Sequence, residues 1–261
     1  MREELRQVVD LEQYPLADEH FRGTCRASLD DDGRLVLPGF LAAAALQAVR
    51  KEAAEKRDLA YYCTERHNVY LTPPDPAFPA GHARNREVAS SKGCITDDQV
   101  AAGSSLRTLY NSPLFREFLC DVLRERALFE YADPLSSINI HYASEGQELG
   151  WHFDNSSFAI TLMIEQPQRG GRFEFIRSIR NADDGEMNFD AVAEVLDGKR
   201  TPDALTMTSG TLVLFRGRDA IHRVTPVLGE TTRVLVVLAY NSEPGIALSE
   251  SARMTFYGRL Q

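Results

Sequence analysis

From Asp133-Pro134 onward, short apolar runs alternate with turn signals. The runs are SSINIHY at 136–142, FAITLMIE at 158–165, GRFEFI at 171–176, GTLVLF at 210–215, HRVTPV at 222–227 and RVLVVLAY at 233–240. Each is rich in Ile, Val, Leu, Phe or Thr, and each is too short for a helix. That is the pattern of strands in a β-sandwich or barrel. One segment, NFDAVAEVLDG at 188–198, has helical spacing and predicts a helix inserted between two strands. A doubly wound parallel sheet does not fit, because no helices are interleaved between most of the runs.

The first 133 residues read differently. Leu35 to Phe40 predicts a short strand and turn, and Ala-rich Leu41 to Arg57 predicts a helix. A second helix is expected over 113–129. Ser112 suits its N-cap, Pro113 its first position, and Leu114, Phe118, Val122 and Leu123 fall on one face. Residues 72–105 are proline-rich at their start and lack apolar periodicity, so a long irregular segment acting as a lid is expected there. The polar first 35 residues favour no element. The expected class is α+β with a mainly β core, in one domain spanning 1–261. Its parts are a helical and irregular portion at 1–133, the β core at 134–245 and a C-terminal segment at 246–261.

Charge narrows the choice of partner. Asp plus Glu number 38 against 29 Lys plus Arg, a net −9, so no basic face is available to displace counterions from a nucleic acid. The longest apolar stretches, FLAAAALQAV and VLVVLAY, fall far short of the ~20 residues that a membrane helix needs. The four cysteines form no CxxC pair, and the charged opening Met1-Arg-Glu-Glu lacks the basic and apolar regions of a secretory leader. A cytoplasmic protein with free thiols is expected. The sequence is silent on oligomeric state.

The chemistry concentrates on two histidines. His152 lies in GWHFDNS, two residues before Asp154, and in extended chain residues i and i+2 point to the same side. His222 follows GTLVLFRGRDAI. Two imidazoles and one carboxylate on one face of an octahedral metal leave three open positions, the arrangement of non-haem Fe(II) oxygenases. A bidentate oxoacid and dioxygen fit those positions. Arg233 stands eleven residues after His222, where a guanidinium can grip a carboxylate through two parallel bonds. Tyr142, ten residues before His152, could add a phenolic hydrogen bond to the same carboxylate. Taken alone, a His-x-Asp is as readily a surface pair. His20, His67, His82 and His141 are read as structural or surface residues, and Trp151 as packing.

The ordered set His152, Asp154, His222, Arg233 resembles the Fe(II)/2-oxoglutarate-dependent oxygenases with a double-stranded β-helix (jelly-roll, cupin-like) core, in their prolyl-hydroxylase-like branch. The stretches INIHYASEGQELGWHFDNSSFAITLMIEQPQRGGRFEFI, LFRGRDAIHRVTPVLGETTRVLVVLAYNSEPG, GHARNREVASSKG and terminal FYGR are similar to the HalD/BesD-like group, which halogenates or hydroxylates free amino acids. The resemblance spans roughly 80–260. It implies Fe(II) held by His152, Asp154 and His222, and 2-oxoglutarate held by Arg233 with Tyr142. It also implies O2 as oxidant and ascorbate as a reductant. The halogenases of that group carry Gly where this chain has Asp154, which frees a site for chloride. The resemblance therefore implies a hydroxylase.

A free amino acid needs partners for its carboxylate and ammonium. Arg84 and Arg86 in GHARNRE, Asn155 beside the triad and Tyr257 in FYGR are candidates, each with an ordinary surface or packing alternative. Glu165, Arg172, Glu174 and Arg180 are further candidates for the barrel mouth. Competing readings are an oxygenase acting on a peptidyl side chain, halogenation, which Asp154 disfavours, and a binding protein without metal, which the intact triad disfavours.

Overall fold

The computed structural model describes residues 2–261. Its helices are α1 (Arg2–Arg6), α2 (Glu19–Asp32), α3 (Ala43–Lys56), α4 (Ser105–Tyr110), α5 (Pro113–Leu123), α6 (Phe189–Leu196) and α7 (Glu250–Tyr257). Its strands are β1 (Arg34–Leu37), β2 (Tyr61–Asn68), β3 (Glu87–Ile95), β4 (Ile138–Ala143), β5 (Leu149–His152), β6 (Ala159–Glu165), β7 (Arg169–Gly170), β8 (Phe173–Ile176), β9 (Asp203–Leu205), β10 (Leu212–Phe215), β11 (Ile221–Val224), β12 (Val227–Leu228) and β13 (Arg233–Leu238).

One antiparallel sheet runs β1-β10-β6-β13-β4-β3-β5-β11-β8-β9, with β2 added on β3. It curls at β3, which pairs with β4 through Cys94↔His141 and touches β5 at Ser90↔Leu149. The curl creates two facing walls, a larger one containing β10, β6, β13 and β4 and a smaller one of β5, β11, β8 and β9. This is the jelly-roll expected from the sequence.

Alternation decides what each wall presents. Along β4, Ile138, Ile140 and Tyr142 join the core beneath the helices, with Val234, Val236 and Leu238 of β13. Against them pack α2, α3 and α5, including Leu29, Val49, Phe115, Phe118 and Val122. Each such side chain contributes about 1.5–3 kcal/mol by leaving water. The opposite face of the same strands turns into the space between the walls, where Met163, Phe175, Val213, Phe215 and Leu235 meet. Both faces of the larger wall are thus covered, which is why its strands read as unbroken apolar runs.

Three expectations need correction. Helix α5 begins as predicted, Ser112 accepting from the Phe115 N–H, but ends at Leu123 rather than 129. Arg124 takes a left-handed conformation (φ 63°) and its N–H closes on Cys120 O. Beyond it, Phe129 exchanges hydrogen bonds with Asn241. Residues 72–105 are not one irregular lid, for 87–95 form β3 at the bend of the sheet. The remaining loop at 71–86 is fastened at one end by Arg86, whose Nη1 lies 2.6 Å from Asp197 Oδ1. The unassigned N-terminal stretch contains α2, whose polar sequence buries only Cys25 and Leu29.

Candidate active site

His152 ends β5 and His222 lies on β11, where the two are register partners. Each ring is oriented by its own backbone. His152 Nδ1 is 2.8 Å from Gly150 O, and His222 Nδ1 is 2.9 Å from Ala220 O. Those carbonyls accept the Nδ1 protons, which aims both Nε2 atoms into the cavity, the orientation a metal requires. Asp154 follows on the turn after β5, its N–H bonded to Gly217 O at 3.0 Å. Its Oδ1 lies 3.9 Å from His152 Nε2 and 3.5 Å from His222 Nε2. Ligand atoms of all three residues fall within 4.8 Å of one another. Phe173 stacks on the His222 ring at 5.4 Å and Phe215 meets it edge-on at 5.0 Å, so the imidazole has little freedom.

The electrostatics suit a cation. Burial, then the neighbouring His222, pushes His152 down to about 3, so it is neutral at physiological pH. Burial favours the acid form of Asp154, but His222, His152 and Arg180 together outweigh it and hold the carboxyl below its usual range. Asp154 Oδ2 is buried and has no hydrogen-bond partner. An unpartnered ionised oxygen in a dry site is costly unless a cation meets it. Gly217 makes the room: a Cβ there would lie 1.9 Å from Asp154 Oδ2 and 2.9 Å from His222 Cε1. The donor set and the orphaned oxygen both fit Fe(II).

The triad opens on a cavity of about 320 Å3 walled by Phe173, Met207, Phe215 and Leu235. Arg233 enters the same cavity from β13. It is 4% exposed, and its Nε and Nη2 are buried without any partner. Burial lowers its pKa to about 10, so it stays charged. A buried, unpaired guanidinium facing three metal donors fits the distal carboxylate of 2-oxoglutarate.

The halogenase D family model matches residues 17–255 of this sequence. The chain belongs to the halogenase D family. It is thereby an Fe(II)/2-oxoglutarate-dependent oxygenase. Solved structures agree on the fold. A 2OG-Fe(II) oxygenase family protein from Burkholderia pseudomallei superposes with TM-score 0.55 at 15% identity, covering 88% of this chain and 94% of that one. The non-heme alpha ketoglutarate dependent epimerase SnoN from nogalamycin biosynthesis gives 0.55 at 14% identity, over 86% and 83%. A Trichoplax adhaerens prolyl hydroxylase, solved with a hypoxia inducible factor peptide fragment, gives 0.55 at 10% identity, over 86% and 90%. No curated protein matches the sequence.

In this halogenase D family member the other sequence candidates lie elsewhere. Tyr142 faces away from the cavity: its hydroxyl donates to Ala53 O at 2.7 Å, under α3. Its neighbour His141 takes the cavity-facing position, with Lys92 beside it. Arg86 donates to Leu196 O and Asp197 Oδ1 at the end of α6, and Arg84 donates to Pro73 O at 3.2 Å in the same loop. Asn155 is exposed, its carbonyl accepting from Arg218. Tyr257 is buried and donates to Asn139 Oδ1 at 2.9 Å, beside a second cavity of about 190 Å3 under α7. Glu165 pairs with Arg50, and Glu174 with Arg172 and Arg223, so none of these lines the cavity. Arg180 does approach the site: its guanidinium stacks on Phe153 at 4.1 Å and is one of the charges holding Asp154 ionised.

Proposed function

We propose that this oxygenase hydroxylates an unactivated C–H bond of a small substrate, a free L-amino acid, with Fe(II) held by His152, Asp154 and His222. One observation carries the reading: three convergent candidate metal donors share a mainly apolar cavity with a buried guanidinium whose Nε and Nη2 are unpaired. When bound, iron and 2-oxoglutarate supply the oxidising chemistry, with 2-oxoglutarate leaving as succinate and CO2 and one atom of O2 entering the substrate.

The chain's own residues hold and exclude. Gly150 O and Ala220 O keep the imidazoles in the ligating tautomer. Arg233 fixes the far carboxylate of the oxoacid, which orients its oxoacid end toward the triad. Phe173, Met207, Phe215 and Leu235 keep water from the reacting carbon. Asp154 supports hydroxylation over halogenation, because its carboxylate fills a position that halide would need. About 320 Å3 must hold both oxoacid and substrate, which supports a small molecule over a peptide. The amino-acid class rests on the family likeness.

The test is a screen of free L-amino acids with Fe(II), 2-oxoglutarate, O2 and ascorbate in chloride buffer. Succinate release should track a product heavier by one oxygen atom. A chlorinated product from the wild type, or turnover of peptide-bound residues alone, would overturn the assignment.

A further inference from the structure

Arg233 is not the only cation at its end of the cavity. Lys92, on β3, lines both the metal-bearing cavity and the smaller one under α7. The sheet register explains how the two charges meet. Arg233 of β13 pairs with Ala143 of β4, while Gly93 of β3 pairs with Tyr142. Lys92 therefore stands level with Ala143 on the other side of β4, and its side chain turns to the same face as that of Arg233. The residue between them is a single methyl. One row on, Leu235, His141 and Cys94 repeat the arrangement.

Among the described residues, no carboxylate is paired with Lys92 or Arg233. The polar neighbours of Lys92 Nζ are the His141 ring nitrogens at 3.3 and 3.4 Å, and the Phe256 ring covers it at 5.6 Å. Burial lowers the pKa of Lys92, against which Cys94, Cys63 and Glu65 act more weakly. His141 is held neutral by burial first, then by Lys92 and Arg233. A buried Arg233 and a partly buried Lys92 beside a neutral imidazole make a poor structural motif: each charge has lost some of its water and repels the other. They make a good receptor for a carboxylate, which both cations can approach while the imidazole offers a further hydrogen bond.

We propose that Lys92 is a second cation of the cosubstrate clamp, so that the distal carboxylate of 2-oxoglutarate lies between Lys92 and Arg233. The proposal rests on the functional reading above and adds a specificity determinant to it. A two-cation end selects dianionic oxoacids over those with an apolar tail. It also makes Lys92 costly in the unliganded protein and useful only in the liganded one.

The experiment measures binding rather than turnover. Mn(II)-loaded wild type, Lys92→Met and Lys92→Arg are titrated calorimetrically with 2-oxoglutarate and with 2-oxopentanoate, its analogue lacking the distal carboxylate. Lys92→Met should weaken 2-oxoglutarate about ten- to a hundredfold, the range for losing one charged hydrogen bond, and leave 2-oxopentanoate unchanged. Lys92→Arg should recover most of the loss. Without ligand, the Tm of Lys92→Met should equal or exceed that of wild type, and the rise in Tm on adding 2-oxoglutarate should shrink. Equal 2-oxoglutarate affinity in wild type and Lys92→Met overturns the role of Lys92 alone. Equal losses for both oxoacids overturn it too, by showing a general disturbance of the site. A wild type that takes up metal but no 2-oxoglutarate overturns the functional reading and this proposal together.

Discussion

His152 and His222 face each other across neighbouring strands as register partners, with ring centroids 4.2 Å apart. The sheet register itself therefore brings together two of the three candidate metal donors, and only Asp154 comes from a turn. Replacing either imidazole or the carboxylate removes one of three donors without disturbing the ladder. His152→Ala, Asp154→Ala and His222→Ala should each lose Fe(II) in equilibrium dialysis and abolish turnover, with far-UV circular dichroism unchanged. Asp154→Gly should lose most hydroxylation and yield at most a trace of chlorinated product by mass spectrometry. Activity like that of wild type in any of the Ala variants would refute the ligand set.

Gly217 offers a sharper probe, because its carbonyl already holds the Asp154 N–H and the side chain it lacks would fall on the Asp154 carboxylate. Gly217→Ala puts a methyl onto the Asp154 carboxylate and against His222. A Cβ so placed forces the carboxylate out of line, and kcat/KM should fall at least about a hundredfold, the scale of a 1 Å misplacement. Gly23, inside α2 with open space around it, is the control: Gly23→Ala should raise stability by about 0.5–1 kcal/mol and leave activity alone. Denaturant melts and steady-state kinetics on both variants decide the matter.

Among the described residues, Arg233 Nε and Nη2 have no partner to lose. Arg233→Met should keep metal binding and, in thermal melts, keep its Tm, while the apparent constant for 2-oxoglutarate rises about tenfold or more. A variant that loses Tm but binds 2-oxoglutarate normally would make Arg233 a structural residue.

His141 sets a pH limb. Burial, with Lys92 and Arg233, holds its folded pKa well below 6.5. Above that value the ring is neutral in both states and contributes no pH dependence. Below it the unfolded chain takes up a proton that the folded chain refuses, so stability falls as pH drops, by up to about 1.4 kcal/mol per pH unit. His141→Asn should flatten the loss of unfolding free energy of the metal-free protein between about pH 6.5 and 5. An unchanged slope would mean that His141 titrates normally.

Much of this was legible in the residues. The apolar runs located the strands of the β core, since strands covered on both faces must be apolar throughout. His-x-Asp and the distant His come within 4.8 Å of one another, and the following Arg lines the same cavity. The distance of Tyr142 from His152 does not carry its parity along β4, which turns its hydroxyl to Ala53 O instead of the cavity. The alternation Ile138, Asn139, Ile140, His141 carried the signal: Tyr142 falls in step with the isoleucines, and His141 with the cavity. Strand β3 was invisible because EVASSKGCI carries Ser, Lys and Gly at a bend shared by two walls, where few large apolar residues fit. Lys92 escaped notice for the same reason.

That bend has a mechanical meaning. The metal donors ride on one wall and Arg233 on the other, and a bound oxoacid would reach from one to the other like an object in the jaws of a calliper. The pivot is built at Ser90 and Ser91. Ser90 Oγ accepts from Gly150 N–H at 2.9 Å and meets His67 Nε2 at 2.7 Å, while Ser91 N–H donates to Glu148 O at 2.7 Å. These short polar bonds fasten β3 to β5 and to Glu148 just ahead of it, and so help to set the gauge of the jaws. Loosening those bonds should blur the discrimination between oxoacids that differ by one carbon in length, with every contacting side chain still in place.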